Sequence, residues 1–168
     1  PGDGWGNAIV YFDNWYFHGE AAEVVIAEPA VAAPAPNYDS ADVISLFSNV
    51  YTDHPVDTWS TGWDAATVSD TLIAGDDTKK YVNLLPAGIE FTTTTVDASA
   101  MNRFRLDFWT GYSTDLPAVF KIKLVDFGAD GSWGGGDDTE HELTFDANSN
   151  PALVSEDWVT FEIPLSNF

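Results

Sequence analysis

Apolar residues recur along this chain in short runs or at alternate positions, separated by clusters of Gly, Asp, Asn and Pro. This pattern predicts about eight short strands after residue 39, and nothing in it demands a long helix. The predicted strands are residues 43–47, 67–73, 80–84, 88–91, 103–110, 118–127, 141–145 and 158–163. So many short strands at this spacing indicate an all-β fold, an antiparallel β-sandwich of jelly-roll type. A short turn is expected in "SADVISLFSN", near residues 40–49.

The front of the chain reads as a further strand, because residues 7–18, "NAIVYFDNWYFH", are rich in aromatic and branched side chains. Residues 20–38 then read as a linker. They mix Ala and Val with three prolines, which favour an extended, semi-rigid spacer. The alternative for "VVIA" within this segment is a short edge strand.

The order of these parts is unusual. The last segment, "EDWVTFEIPLSNF", ends without a strand to lie beside the first one, and residues 1–19 have the character of that missing closing strand. Residues 39–168 are therefore expected to form a sandwich module that lacks its own last strand. The front strand belongs either to a preceding copy in a tandem array, or to this module or a neighbouring molecule that it completes.

The charge of the chain restricts its partners. Its 168 residues include 27 acidic and 6 basic side chains, for a net charge of -21. Nucleic acid and anionic membranes need a basic surface, so neither is the expected partner, whereas cations are. The 45% hydrophobic and 14% aromatic content distinguishes the chain from a disordered acidic tail and supplies a core for one domain.

The absence of some features limits what the chain can be, and its composition indicates its location. No run of about 18 apolar residues is present, so membrane insertion is not expected. Cysteine is absent, which removes disulfides and thiolate metal sites. The start has no signal-peptide pattern, so we expect a mature or excised piece of a longer chain. Richness in Thr, Asp, Gly and Trp suits an extracellular or cell-surface β-protein.

Five segments carry a family resemblance: "ADVISLFSNVYTDHPVDTW", "TKKYVNLLPAGIEF", "FRLDFWT", "VFKIKLVDFGADGSWGGGDDTEHELTF" and "WVTFEIPLSNF". They resemble a β-sandwich module of secreted glycan-degrading and glycan-binding proteins of marine bacteria. That module is similar to the carbohydrate-binding modules of the family 4, 9, 16 and 22 group. "IVYFDNWYFHG", at residues 9–19, resembles its last strand. The resemblance implies a galactose-binding-domain-like jelly roll that binds polysaccharide without catalysis.

Basic residues are concentrated on two predicted strands. Alternate residues of a strand share a face, so the basic residues of each strand, with an acid and an indole, are expected to point outward together. If the two strands are neighbours, they form one stripe that suits hydrogen bonding and stacking on a sugar. The alternative is a solvated face of cross-strand ion pairs. The residues concerned are Arg103, Arg105, Asp107, Trp109, Lys121 and Lys123.

Three tryptophans add to the candidate binding residues. Trp59 and Trp63 lie in "DTWSTGWD", and Trp133 lies in the glycine-rich "GSWGGGDD". Exposed loop indoles are typical sugar platforms, because the ring covers the C–H face of a pyranose. The alternative is that they fold back and anchor their loops.

Calcium is the expected metal. The three His residues are scattered without zinc spacing, whereas hard oxygen ligands are plentiful. The loop "FSNVYTDHPVD" offers Ser48, Asn49, Asp53 and Asp57, and the resemblance implies a structural Ca²⁺ that Asp13 helps to hold. A second candidate loop lacks EF-hand spacing and contains Asp126, Asp130, Asp137 and Asp138. For any one of these acids, the alternative is a turn-forming or solvated side chain.

The expected function is non-catalytic binding of a β-glucan such as laminarin, or of another algal glycan, by a calcium-stabilised module of a longer secreted or surface protein. Neighbouring copies of the module are further expected partners. The alternative is a structural tandem repeat of an extracellular adhesin or filament, joined by strand addition. Glu140 and Glu142 share a strand face at a spacing that a retaining glycosidase would accept. Because the resemblance is to a non-catalytic module, an enzyme is not expected.

Overall fold

The computed structural model describes residues 25–168. Within them, six strands and two 3₁₀ turns are present. The strands are β1 (Thr67–Ile73), β2 (Asp76–Val82), β3 (Arg103–Trp109), β4 (Phe120–Asp126), β5 (Thr139–Phe145) and β6 (Trp158–Pro164). The all-β prediction is confirmed. The predicted closing strand at residues 1–19 and the predicted calcium ligand Asp13 lie outside the described residues.

The strands pair into three antiparallel ladders: β1 with β2, β3 with β6, and β4 with β5. In the β3–β6 ladder, Trp109 lies opposite Trp158, and Arg103 lies opposite Pro164. Within residues 25–168 each sheet has two strands. The antiparallel pairing agrees with the sequence prediction, whereas the jelly-roll order stays a prediction.

One hydrophobic core joins the β3–β6 and β4–β5 ladders. At its centre Phe161 of β6 is fully buried, and its ring centroid lies 4.6 Å from that of Phe145 and 5.7 Å from that of Phe120. Phe108 of β3 stacks on Phe120 of β4 with ring centroids 4.3 Å apart. Each of these two ladders therefore turns one face toward the shared core. The buried side chains of this core are Ile122, Phe145, Leu153, Val159, Phe161 and Ile163.

The alternation of β3 and β4 places their basic residues on two different surfaces. Phe104, Leu106 and Phe108 of β3 pack on the core, as do Phe120 and Ile122 of β4. The intervening basic residues therefore point away from the core on both strands. Since β3 pairs with β6 and β4 pairs with β5, the two strands are not neighbours. The single stripe that required their adjacency does not form.

Two predicted strands are reduced to isolated bridges. Residues 43–47 contribute the bridge from Ser45 to Asp53, and residues 88–91 contribute the bridge from Thr58 to Glu90. At the second, both Asp57 N and Thr58 N donate to the one carbonyl of Glu90, at 2.7 and 3.2 Å. A loop–loop contact therefore takes the hydrogen bonds that a ladder would need. These two strand predictions are wrong.

The β1–β2 hairpin corrects a third prediction. The sequence "AGDD" reads as a break, but only Ala74 and Gly75 form the turn, with φ of 52° and 90°. Two positive φ angles are what a two-residue hairpin turn of type I′ requires. Asp76 and Asp77 therefore already belong to β2, opposite Ile73 and Leu72. The strand predicted at 80–84 in fact begins four residues earlier and ends two residues earlier.

Helical structure in residues 25–168 consists of two 3₁₀ turns, Ser40–Asp42 and Leu165–Asn167. The first agrees with the turn expected in this region, and the Asp39 side chain caps it by accepting a 3.0 Å hydrogen bond from Ala41 N. No helix in this part of the chain is long and apolar enough to cross a membrane.

Candidate functional site

The most exposed tryptophan of the described chain is held on a loop beside the β1–β2 hairpin. Trp63 lies in residues 58–66, which we call the tryptophan loop, and 68% of its surface is exposed. A β-carbon at Gly88 would lie 2.6 Å from Cζ2 of Trp63. The indole therefore rests against the bare backbone of Gly88 at one edge and presents most of its surface to solvent.

The Asp64 carboxylate fixes the tryptophan loop to the segment that contains Gly88. It accepts hydrogen bonds from Gly88 N at 2.8 Å, Ser60 Oγ at 2.7 Å and Thr61 N at 2.7 Å, and a longer one from Ala66 N at 3.2 Å. These bonds stabilise the ionised form and lower the pKa of Asp64 to about 2, and the bond from Gly88 N has the largest effect. One side chain thus holds both loops that carry the Trp63 platform.

Trp59 is an anchor of the same loop. Its ring meets Phe47 edge-on, with centroids 5.7 Å apart. Lys79 Nζ lies 4.9 Å from the centre of the Trp59 ring and 4.8 Å from that of Phe47. Tyr81 donates its hydroxyl to the Trp59 carbonyl at 2.7 Å, and burial, with the nearby Asp64 charge, raises the pKa of Tyr81 to about 12. Trp59 therefore matches the loop-anchor alternative.

Several residues that hold this site were not among the residues predicted from the sequence, including Asp64, Lys79 and Gly88. Asp64 and Gly88 are 24 positions apart, and no local motif connects them. Lys79 was hidden because residues 76–79 did not read as a strand. Once the β1–β2 register is known, it places Lys79 opposite Asp70, with which it forms an ion pair at 2.6 Å.

The outer face of the β3–β6 ladder carries a half-buried polar group. Arg105 Nη2 donates to both carboxylate oxygens of Asp107, at 3.2 and 3.3 Å, and the Thr160 hydroxyl donates to Asp107 Oδ1. Arg103 is exposed and reaches the Glu162 carbonyl at 3.5 Å. Arg105 and Asp107 thus neutralise each other, and little of either charge is free for a ligand.

Residues 26–38, which we call the strap, lie along this same face. Trp158 Nε1 donates to the Val31 carbonyl at 2.9 Å, and Arg105 Nη2 donates to the Pro34 carbonyl at 3.3 Å. The Tyr38 hydroxyl donates to the Glu162 carboxylate. Part of the predicted linker therefore occupies part of the face predicted to bind sugar. Trp109 is half-buried there, opposite Trp158.

Lys121 and Lys123 form ion pairs across the β4–β5 ladder. Lys121 Nζ lies 2.6 Å from Glu142 Oε1, and Lys123 Nζ lies 3.0 Å from Glu140 Oε1. The hydrogen bond from Lys121 lowers the pKa of Glu142. All four side chains are well exposed. This surface matches the alternative of solvated cross-strand ion pairs.

The glycine-rich loop, residues 127–138, brings carboxylates together around Gly135. Asp130 and Asp137 each direct an oxygen toward the position that a β-carbon of Gly135 would take. Asp138 Oδ2 accepts from Gly134 N at 2.8 Å, whereas its Oδ1 is buried with no hydrogen-bond partner. Trp133 on this loop is 63% exposed. Of the three loop tryptophans, Trp63 and Trp133 thus keep the exposure that a platform needs.

In the loop first predicted to bind calcium, Ser48, Asp53 and Asp57 accept hydrogen bonds from different groups. Asp53 Oδ1 accepts from Ser45 Oγ at 2.6 Å, and Ser48 Oγ accepts from Val50 N at 3.0 Å. Asp57 Oδ2 accepts from the amides of Thr92 and Thr93, both at 2.8 Å, and these bonds lower its pKa. Asn49 is exposed. In residues 25–168 no group of three or more His, Asp or Glu side chains is placed to hold a metal.

Comparison of the chain with family models, with curated proteins and with solved structures gave no match.

Proposed function

We propose that this chain is a non-catalytic polysaccharide-binding module, with Trp63 as its main sugar contact. The observation that carries the proposal is the exposed indole of Trp63, held over Gly88 by the loop that Asp64 fixes. A platform that is rigid before binding loses little conformational freedom when a pyranose ring stacks on it. Hydrogen-bonding side chains next to the ring then orient the sugar hydroxyls.

The sugar class is proposed from the resemblance of the sequence to glycan-binding modules. It favours a β-glucan such as laminarin, or another algal glycan, bound by a module of a longer secreted or surface protein. Trp133 offers a second exposed indole on a different loop. Weak contacts of this kind gain strength when several copies act together, since the second copy binds at high effective concentration.

Replacing Trp63 with alanine is expected to weaken binding to laminarin about 10-fold, because a stacked aromatic contributes roughly 0.5–1.5 kcal/mol beyond its buried area. Affinity electrophoresis and calorimetry across a panel of algal polysaccharides measure the change. Leu85→Ala is the matched control, since Leu85 is 78% exposed and apolar but has no ring. Equal retention of wild type and W63A by every glycan that binds would remove Trp63 from the site.

We further propose that Ca²⁺ stabilises the module at the glycine-rich loop rather than at the Asp53 and Asp57 loop. Two carboxylate oxygens, of Asp130 and Asp137, meet beside Gly135, and Asp138 Oδ1 is buried without a hydrogen-bond partner. Since no three such acids of residues 25–168 meet at one point, a hard cation here would also take backbone carbonyl or water oxygens. Asp130 and Asp137 also accept hydrogen bonds, from Ser132 N and Ala129 N, but through their other oxygens. Asp53 and Asp57 instead bond to separate parts of the chain, and their oxygens do not converge. When bound, the ion would offset the repulsion between these carboxylates.

Chelation is expected to lower the melting temperature by about 5–10 °C. A ligand at 100 times its Kd stabilises the native state by about 2.7 kcal/mol, and each kcal/mol shifts Tm by roughly 2–4 °C at this size. Differential scanning calorimetry with EDTA, and then with added Ca²⁺, measures the effect. Asp130→Asn should abolish the response, whereas Asp53→Asn should keep it. The reverse result would place the ion at the other loop.

A second candidate function is a structural repeat joined by strand addition. In residues 25–168 each sheet has two strands, so every ladder has edges that another strand can extend. This role predicts concentration-dependent association in sedimentation experiments, together with retention by none of the glycans. A monomer at all concentrations whose migration is slowed by one glucan would favour the binding module instead.

A further inference from the structure

The strap runs along the β3–β6 ladder without pairing as a strand. Its residues belong to none of the described ladders, although they lie against the outer face of this one. Burial recurs about every third residue, which is the spacing expected when one side of a polyproline II helix faces a surface. The half-buried residues are Ile26, Ala27, Pro29, Ala32, Ala33 and Pro36.

The surface recognises the backbone carbonyls of the strap. Trp158 Nε1 donates to the Val31 carbonyl and Arg105 Nη2 donates to the Pro34 carbonyl, at 2.9 and 3.3 Å. Carbonyl acceptors are the backbone groups that a proline-containing segment keeps, because proline has no N–H. Side-chain donors on the sheet can therefore hold such a segment where a strand ladder cannot.

The face that the strap covers combines aromatic and polar groups. Trp109 and Trp158 lie directly opposite each other in the ladder, so they share its outer face. Arg105 and Asp107 follow on the same side of β3. Extended proline-containing segments are in general bound on aromatic-lined surfaces. Here the Trp158 indole adds an N–H that donates to the Val31 carbonyl.

Both ends of the strap are also held. Glu28 pairs with Lys80 of β2, and the Tyr38 hydroxyl donates to Glu162 of β6. Near the first end, a β-carbon at Gly111 would lie 2.5 Å from the Ala27 carbonyl oxygen, so the two backbones approach closely. Ala27 lies against Gly111, just beyond the end of β3, and Pro34 lies against Arg105, near the start of β3. The strap therefore runs antiparallel to β3 in a defined register.

We propose that the outer face of the β3–β6 ladder is a docking surface for an extended, proline-containing polypeptide, and that residues 26–38 of this chain are its occupant. The segment that leads into the module is then part of the folded unit and not a free spacer. In a chain of tandem modules, the segment that leads into each module would then have a fixed orientation on that module. The proposal does not rest on sugar binding, because Trp63 lies on the tryptophan loop.

Limited proteolysis of the full chain with elastase tests the docking. The strap is rich in Ala and Val, at which elastase cuts, and a docked segment is protected. Trp158→Phe removes the N–H donor and keeps an aromatic ring. We expect cleavage within residues 26–36 to be about fivefold faster, the effect of one lost hydrogen bond. Trp133→Phe makes the same change from indole to phenyl ring on the glycine-rich loop, outside this face, and is expected to be cleaved at the wild-type rate.

A second measurement applies if W158F lowers the melting temperature. In the full-length chain, residues 29–36 are replaced by a Gly/Ser sequence of equal length, and a synthetic peptide of residues 25–38 is added. Tryptophan fluorescence should report saturable peptide binding to this variant and not to the wild type, whose own strap occupies the face. Equal cleavage of W158F and wild type at unchanged Tm, or a peptide that does not bind the Gly/Ser variant, would overturn the proposal.

Discussion

Replacing Phe161 with alanine is expected to destabilise the chain by about 3–5 kcal/mol, a large share of the roughly 5–15 kcal/mol that a domain typically has. Phe161 is fully buried, and its ring packs on aromatic rings from β3, β4 and β5. Removal of the ring leaves a cavity where the two ladders meet. Urea denaturation followed by tryptophan fluorescence measures the loss as a lower midpoint.

Two variants make this result specific to the core. Phe161→Leu keeps most of the apolar volume and should cost less than the alanine variant. Leu72→Ala removes an apolar side chain that is 66% exposed, and its effect should stay within about 0.5 kcal/mol. Equal losses for F161A and L72A would mean that the ladders are not held together through Phe161.

Strands with one apolar and one polar face were predictable from the sequence. In β3 the apolar Phe104, Leu106 and Phe108 alternate with charged residues, and the predicted strand differs from the observed one by a single residue. In β2 the alternation is absent, since "DDTKKYV" carries polar residues on both faces. Its position is set by the two-residue turn at Ala74 and Gly75, which only the structure shows.

Strand neighbours were not predictable in the same way. Alternation tells which face of a strand meets the core, but it does not tell which strand lies beside it. Arg105 and Lys121 were each correctly expected to leave the core, and the structure places them on different ladders. The choice of β6 as the partner of β3 depends on contacts between residues 49 to 61 positions apart along the chain, from Trp109 with Trp158 to Arg103 with Pro164.

In the candidate site, too, the exposure of a residue was predictable from the sequence, but its contacts with distant residues were not. The polar surroundings of Trp63 in "DTWSTGWD" pointed to an exposed ring, and the ring is exposed in the structure. The Asp64 contact with Gly88 joins two loops that no local pattern relates. For the strap, proline content indicated an extended segment, but composition alone does not show that donors on Trp158 and Arg105 would hold it.

The hydrogen bonds that the Asp64 carboxylate accepts from Gly88 and from its own loop are expected to make the melting temperature depend on pH between about 4 and 2. Hydrogen bonds from Gly88, Ser60 and Thr61 lower the pKa of this carboxyl from 3.8 to about 2 in the folded chain. The carboxylate therefore contributes its full stabilisation above the unfolded pKa, and the contribution is lost as the pH falls through the folded pKa. Thermal unfolding at a series of pH values, for wild type and Asp64→Asn, measures it.

The test compares the Tm of wild type with that of D64N at each pH, because other carboxylates of this acidic chain also titrate in the same range. We expect the Tm of D64N to lie well below that of the wild type at pH 6, and the gap to close as the pH approaches 2. Asp70→Asn is the control, since the Asp70 side chain is 74% exposed, accepts from Lys79 alone, and does not join the two loops. A gap between wild type and D64N that is constant from pH 6 to pH 2 would show that the ionised Asp64 does not hold the two loops together.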